Sequence, residues 1–504
     1  MLFTEPTFLF LFLPLLLALY FAPLSREHGA YGNSLLLVAS VVFYAKGGGV
    51  FTWLMLGSIG FNYWVAIAVD RARARPDAHA QRWLALAVAA NLVVLGIFKY
   101  ANFFADNVNT LFLALRVQPL VVPRVLLPIG ISFFSFHAIS YVVDVYRRDA
   151  TAQKSPVHAA LYLLLFPQLI AGPIIRYRDL ADQLARRTVA IDDFAYGVRR
   201  FVIGLAKKML IANVVAEPAD RIFAMPAAEL STAHAWLAIV CYTFQIYFDF
   251  SGYSDMAIGL GRMFGFRFPE NFRWPYVARS VQDFWRRWHL SLSTWFRDYL
   301  YIPLGGNRVS RGRQYRNLVA VFFLCGLWHG ASWNFVIWGL WHGAFLVAER
   351  IAFSRGGRPT RRREEMIPAM AGPTAIRSGP LHWPIWPHVY TMLVVMIGWV
   401  FFRADTLADA IAFLRAMAGT TVAAPTAYTV GWYLTPELWL ALAAGAIGST
   451  PWVPLLALRL ERRPRSMPQW TLSLVNTVAL VALLVVSLMH VAARTYNPFI
   501  YFRF

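Results

Sequence analysis

Cysteine is almost missing from this chain: two in 504 residues, Cys241 and Cys325, each inside an apolar run. That excludes a disulfide framework and a thiolate metal site. Acidic residues are scarce as well, 26 against 47 Lys and Arg, for a net charge of +21. Charged residues of both signs make up 14% of the chain, whereas 58% is hydrophobic and 16% aromatic. This balance rules out a soluble protein of such size. Other absences narrow the chemistry. There is no H-E-x-x-H or similar ligand spacing, so no metal is expected. There is no G-x-S-x-G elbow, so a serine-hydrolase mechanism is unsupported. No glycine-rich phosphate loop and no internal repeat are visible. The basic charge is scattered over many short connections, which argues against nucleic acid as a partner.

What is present falls in long apolar blocks, with a mean hydropathy of +0.50. The blocks specify an all-α, polytopic membrane protein, because a helix satisfies its own backbone in lipid. Spans are expected near 8–22, 33–45, 50–69, 84–100, 127–145, 157–173, 194–215, 234–250, 315–330, 333–351, 386–402, 436–458 and 470–490. Several are shorter than a full crossing, so about 11 true spans plus half-helices are expected. The block 8–22 has no basic region before it and no A-x-A-like site after it, and reads as a retained span. Basic clusters at Arg71/Arg73/Arg75, Arg147/Arg148/Lys154, Arg176/Arg178/Arg186/Arg187, 355–363 and 459–465 mark the cytoplasmic side. Both termini are then expected outside, and the Pro/Gly/Arg-rich stretch 354–384 is a cytoplasmic loop.

Residues 252–313 are too polar for a lipid-facing span and too aromatic for an ordinary loop. Trp285, Trp288, Leu292, Trp295 and Tyr299 step by three and four residues, which predicts one apolar helical face. Asp283 and Arg287 are spaced to pair. Two readings fit: an interfacial amphipathic helix, or a re-entrant element lining a polar funnel. Just before it, Asp249, Ser251 and Asp255 flank Gly252. They are either the capping groups of a helix end or a polar wall that binds substrate or orients a histidine.

Four histidines lie in or beside apolar segments. For His137 and His342 the simpler reading is a hydrogen-bonded residue of the core. His329 and His289 are the stronger sites. His329 sits in Trp328-His329-Gly330-Ala331-Ser332-Trp333-Asn334-Phe335, and an imidazole there is costly unless it faces protein or a polar cavity. It is also the side chain suited to proton transfer near neutral pH. Ser332 and Asn334 are expected to hold it in one tautomer. His289 has Arg286, Arg287 and Ser291 nearby.

These blocks together resemble the membrane-bound O-acyltransferase family, in its bacterial polysaccharide branch. The matching segments are Ile131–His137, Phe166–Ile174, Asp249–Gly261, Pro269-Glu270-Asn271-Phe272, the run from Asp283 through His289 to Tyr299 and Asn307-Arg308, and Trp328–Phe335. The resemblance covers the chain from about Phe43 onward. It implies a ring of helices, with re-entrant and interfacial pieces, around a central tunnel. It implies transfer of acetyl from cytosolic acetyl-CoA, as donor rather than bound cofactor, toward the outer side of the bacterial inner membrane. By the same resemblance His329 is the catalytic base and His289 its support. The implied partners are membrane lipid, a periplasmic serine-hydrolase-like (SGNH-type) acetyltransferase and a polysaccharide biosynthesis or export complex. The polymer would be of the alginate or cellulose type, with peptidoglycan or teichoic acid as the alternative acceptor.

Arg286, Arg287 and Arg297 suit the anionic donor electrostatically, with Asp249, Ser251, Asp255 and Asn334 as further substrate contacts. The aromatic tail, 491–504, is placed outside by charge bias. It reads as an interfacial anchor, or, because similar tails recur in this branch, as the carrier of an acyl relay at Tyr501. A transporter or channel with broken helices fits the same polar groups, as does a structural subunit of an export complex. Dependence of acyl transfer on His329 separates these from an enzyme.

Overall fold

A computed structural model describes residues 1–22, 29–74, 79–355, 385–426, 428–461, 469–493 and 496–500. The expected cytoplasmic loop 354–384 falls almost wholly outside the described residues, and so does Tyr501. Every described secondary-structure element is a helix.

Five described helices are long and apolar enough to cross a membrane: Phe51–Arg73, Ala80–Ala114, Trp333–Ala352, Ile385–Arg403 and Ser473–Ala493. Other expected spans take different forms. The block 157–173 is not one helix but two, Pro156–Leu164 and Phe166–Leu169, and all of 161–175 is buried in protein. Leu165 leaves the helical region between them (φ −52°, ψ 114°), and Pro167 lies in the first turn of the second piece, where its missing N–H costs nothing. The block 436–458 likewise divides into Pro436–Gly448 and Trp452–Glu461.

The centre of the molecule is the helix Thr232–Met263, started by Ser231, whose hydroxyl accepts from the His234 amide. From 241 to 261 every side chain except Phe244 is buried, so this helix faces protein rather than lipid. It crosses Ile191–Ala206 backbone to backbone. A Cβ on Gly204 would lie 2.5 Å from the Gly252 carbonyl oxygen, and one on Gly197 2.6 Å from that of Gly259. Small residues at such crossings let membrane helices approach closely.

Three expectations need correction here. Asp249 and Asp255 are not at a helix end; they lie inside Thr232–Met263, which runs through Gly252 without a break. Residues 252–263 accordingly belong to this helix and not to the polar element that follows. The aromatic stripe 285–299 is not one helix. Val281–Trp285 and Leu290–Phe296 are separate, followed by a π turn at Arg297–Tyr301. The break falls at His289, which adopts a left-handed conformation (φ 44°, ψ 56°). A regular helical spacing survives the break, so periodicity alone does not show it.

Candidate active site

His329 is the last residue of the helix Arg311–His329, and a short turn leads into Trp333–Arg355. The two helices form a tight hairpin. A Cβ on Gly326 would run into the backbone of Phe335, and one on Gly339 into that of Phe322. Gly330 is covered by the Phe335 ring, which leaves no space for a side chain in the turn.

The second histidine comes from the broken segment. Asn271 fixes its neighbours: its Oδ1 accepts from the Ser291 amide at 3.2 Å and hydroxyl at 2.9 Å, and its carbonyl accepts from Leu290 N at 3.0 Å. Ser291 Oγ in turn accepts from Ile174 N at 2.9 Å. These bonds hold the left-handed turn, whose cost in a non-glycine residue is of order 1–3 kcal/mol.

The turn brings the imidazoles of His289 and His329 together, with ring centroids 6.5 Å apart. His329 is walled by Trp328, Trp338 and Phe402 at 4.8, 5.0 and 5.1 Å, and His289 lies 4.6 Å from Phe250. Both nitrogens of His289 and Nδ1 of His329 are buried with no hydrogen-bond partner among the described residues. Buried polar groups are normally paired; Nδ1 of His137 and both nitrogens of His342 share this state, and His329 differs from them in bordering a cavity.

Two cavities converge on His329. One, of about 150 Å³, is lined by Lys99, Pro128, Gly130, Ser132 and Ile170 as well as His329. The other, about 10 Å³, lies between His329, Phe250, Trp338, Phe402 and Ile500. Ile500 thus places the tail against the histidine. Residues 496–500 of the tail are held at four points. The Tyr496 hydroxyl bonds Asp220, Asn497 donates to Thr4 at 2.8 Å, Lys208 donates to the Pro498 carbonyl, and Ile500 N donates to Asp249 Oδ2 at 2.8 Å. Lys208 and Asp249 form a buried ion pair at 2.8 Å.

The other residues singled out from sequence are dispersed. Asn334 does not hold His329: its amide donates to the Ala404 carbonyl at 2.7 Å and braces Trp333–Arg355 against Ile385–Arg403. Ser251 is buried, its hydroxyl without a partner among the described residues. Asp255 is bound by Arg200 and Lys207, each at 2.7 Å. Arg287 pairs with Asp283 at 2.9 Å, as its spacing predicts, and Arg286 is exposed. Arg297 meets Asp298 at 2.7 Å, where Arg176 and Arg178 also converge. Burial pushes the Asp298 carboxyl up, but Arg297, Arg176 and Arg178 outweigh it and hold the group below its ordinary value. His137 is a residue of the core whose Nε2 accepts from Ile175 N at 3.2 Å. His342 is enclosed by Trp285, Trp338, Phe284 and Trp399. Among the described residues no group of three His, Cys, Asp or Glu is placed to hold a metal ion.

Sequence reasoning missed Lys99 and Lys208. The signal was available: a lysine inside an apolar block is as costly as an imidazole and equally in need of a partner.

Residues 74–367, a stretch that contains both histidines, match the model of the membrane-bound O-acyltransferase family. The chain belongs to the membrane-bound O-acyltransferase family. It is 49% identical to the probable alginate O-acetylase AlgI of Azotobacter vinelandii over 81% of this chain and 76% of that protein. It is 42% identical to the probable alginate O-acetylase AlgI of Pseudomonas putida over the full length of both, so the likeness extends through the tail. The peptidoglycan O-acetyltransferase of Helicobacter pylori is 38% identical over 83% of this chain and 80% of its own length. As a member of this family, the chain is a multi-pass membrane protein and an O-acyltransferase.

Proposed function

We propose that this O-acyltransferase moves acetyl from cytosolic acetyl-CoA through a tunnel in the bacterial inner membrane. A periplasmic SGNH-type acetyltransferase would then complete O-acetylation of an exopolysaccharide of the alginate or cellulose type. The observation that carries the reading is the position of His329, which borders both cavities, faces His289 and shares a wall with Ile500. In this scheme His329 is the base, and His289 supports it or orients the donor. Arg286, Arg287 and Arg297 would favour the phosphates of CoA electrostatically, Arg287 and Arg297 from beside their carboxylate partners Asp283 and Asp298. A general base typically contributes about 10²–10⁴-fold.

Tyr501, the residue after Ile500, would be the relay. Its phenol oxygen attacks the thioester carbonyl, the C–S bond breaks, and His329 carries the phenolic proton to the departing thiolate. A serine hydroxyl of the partner then attacks the tyrosyl ester, and its proton returns to the phenolate. A phenol with a pKa of about 10 needs such a base. Aromatic walls support the reading in a second way, since a nearly dry passage protects the acyl group from hydrolysis.

The test is the acetate ester content of secreted polymer in cells carrying His329→Ala at wild-type membrane abundance. Loss of acetate with normal polymer yield is expected, and unchanged acetylation overturns the assignment. The Helicobacter pylori relative favours one alternative acceptor, and acetate lost from peptidoglycan instead of polymer would identify it.

A further inference from the structure

Lys99 lies within the apolar helix Ala80–Ala114 and is buried, with no carboxylate paired to it among the described residues. A lysine there requires compensation. Its ammonium donates to the carbonyl of Trp328, to that of His329 at 3.2 Å and to Ser132 Oγ at 3.4 Å. Three donors thus meet three acceptors. The next residue, Tyr100, donates from its hydroxyl to the Leu327 carbonyl at 2.6 Å.

The carbonyl acceptors are consecutive. Leu327, Trp328 and His329 end the helix Arg311–His329, where the last four carbonyls have no partner within the helix. Two adjacent residues of another helix therefore satisfy three carbonyls in a row. The ammonium also stands at the negative end of that helix, where a cation is favoured, and lies 5.8 Å from the centre of the Trp328 ring.

We infer that Lys99, seconded by Tyr100, is a positioning residue: it clamps the end of the helix that bears His329 and so sets where the imidazole stands between the two cavities. The inference rests on the reading of His329 as the base. The last residue of a helix is the one its own ladder restrains least, so the restraint must come from outside. Lys99 is suited to supply it because its donors are engaged by the backbone of the very residues it positions. The backbone at this point turns at once into Gly330, so rotation of the final turn would swing the ring.

The test is CoA release from acetyl-CoA by membrane vesicles carrying the full chain and its acceptor. Lys99→Met removes the ammonium and keeps the length of the side chain. A displacement of 1 Å at a reacting group can cost about a hundredfold in rate. The rate at saturating acetyl-CoA should fall by that order, with the KM for the donor changed by less than about threefold, because positioning acts on turnover rather than on donor binding. Tyr100→Phe should lower the same rate more mildly and also spare KM. Full turnover in Lys99→Met overturns the inference, and a raised KM at normal turnover does so too, since it would make Lys99 a donor contact. If Lys99→Met does not reach the membrane folded, Tyr100→Phe decides, and full turnover there overturns the inference. A His329→Gln control keeps the two readings apart. An active control removes the base on which the inference rests; an inactive one with fully active Lys99→Met sinks the positioning role alone.

Discussion

The amide of Ile500 donates to Asp249 Oδ2 at 2.8 Å, and this bond ties the tail to the central helix Thr232–Met263. The other oxygen of the same carboxylate pairs with Lys208, which also bonds the Pro498 carbonyl. One buried carboxylate thereby serves both a buried cation and the main chain of the tail.

Asp249→Ala should release the tail. Loss of one member of a buried pair costs roughly 3–5 kcal/mol, because the remaining charge stays buried. The melting temperature of the purified protein should drop, limited proteolysis should cut within 496–500, and polymer acetylation should be lost at matched abundance. Wild-type acetylation with a cleavable tail would show that the tail has no part in transfer.

Gly326→Ala should damage the hairpin that presents His329. The added methyl meets the Phe335 backbone rather than a movable side chain, so the helices must part, at about 1–3 kcal/mol for an overfilled site. Gly96, in Ala80–Ala114, has no neighbouring atom within 4 Å of where a Cβ would stand, and Gly96→Ala is the control. Removing a glycine from a helix interior should stabilise it by about 0.5–1 kcal/mol. Equal melting temperatures for the two variants would refute the close-contact argument.

Asp298 links stability to pH. Its folded carboxyl is held below the ordinary value by Arg297, Arg176 and Arg178, in spite of burial. The contribution is therefore complete above the unfolded pKa of about 4 and is lost as pH falls through the lower, folded value. The melting temperature of the wild type should fall more steeply below about pH 4 than that of Asp298→Asn, which starts lower because Arg297 loses its counter-charge while Arg176 and Arg178 keep only Asp179 and Asp149. Parallel profiles would rule out Asp298 as the group responsible.

The membrane class and the helical fold were legible because they rest on composition and long apolar blocks, and His289 and His329, singled out as costly groups in apolar surroundings, do come together in the fold. The break at His289 was not, since Trp285, Trp288, Leu292, Trp295 and Tyr299 keep a helical spacing across it. What fixes the break is Asn271, whose bonds to Leu290 and Ser291 span a distance in sequence that no local pattern records. Asp249 was visible as a polar group, but its partner Ile500 lies at the far end of the chain. Asn334 was misread because closeness in sequence to His329 suggested contact, whereas the hairpin carries its amide away to face Ala404.

The left-handed turn at His289 also governs what mutagenesis can report at that position. Asparagine and glycine tolerate such a backbone, whereas a β-branched residue does not. His289→Asn or His289→Gly removes the imidazole and leaves the bend intact, so a lost activity reads as lost chemistry. His289→Val would confound the absent ring with a refolded loop, and a scan built on bulky replacements would assign to catalysis what belongs to geometry.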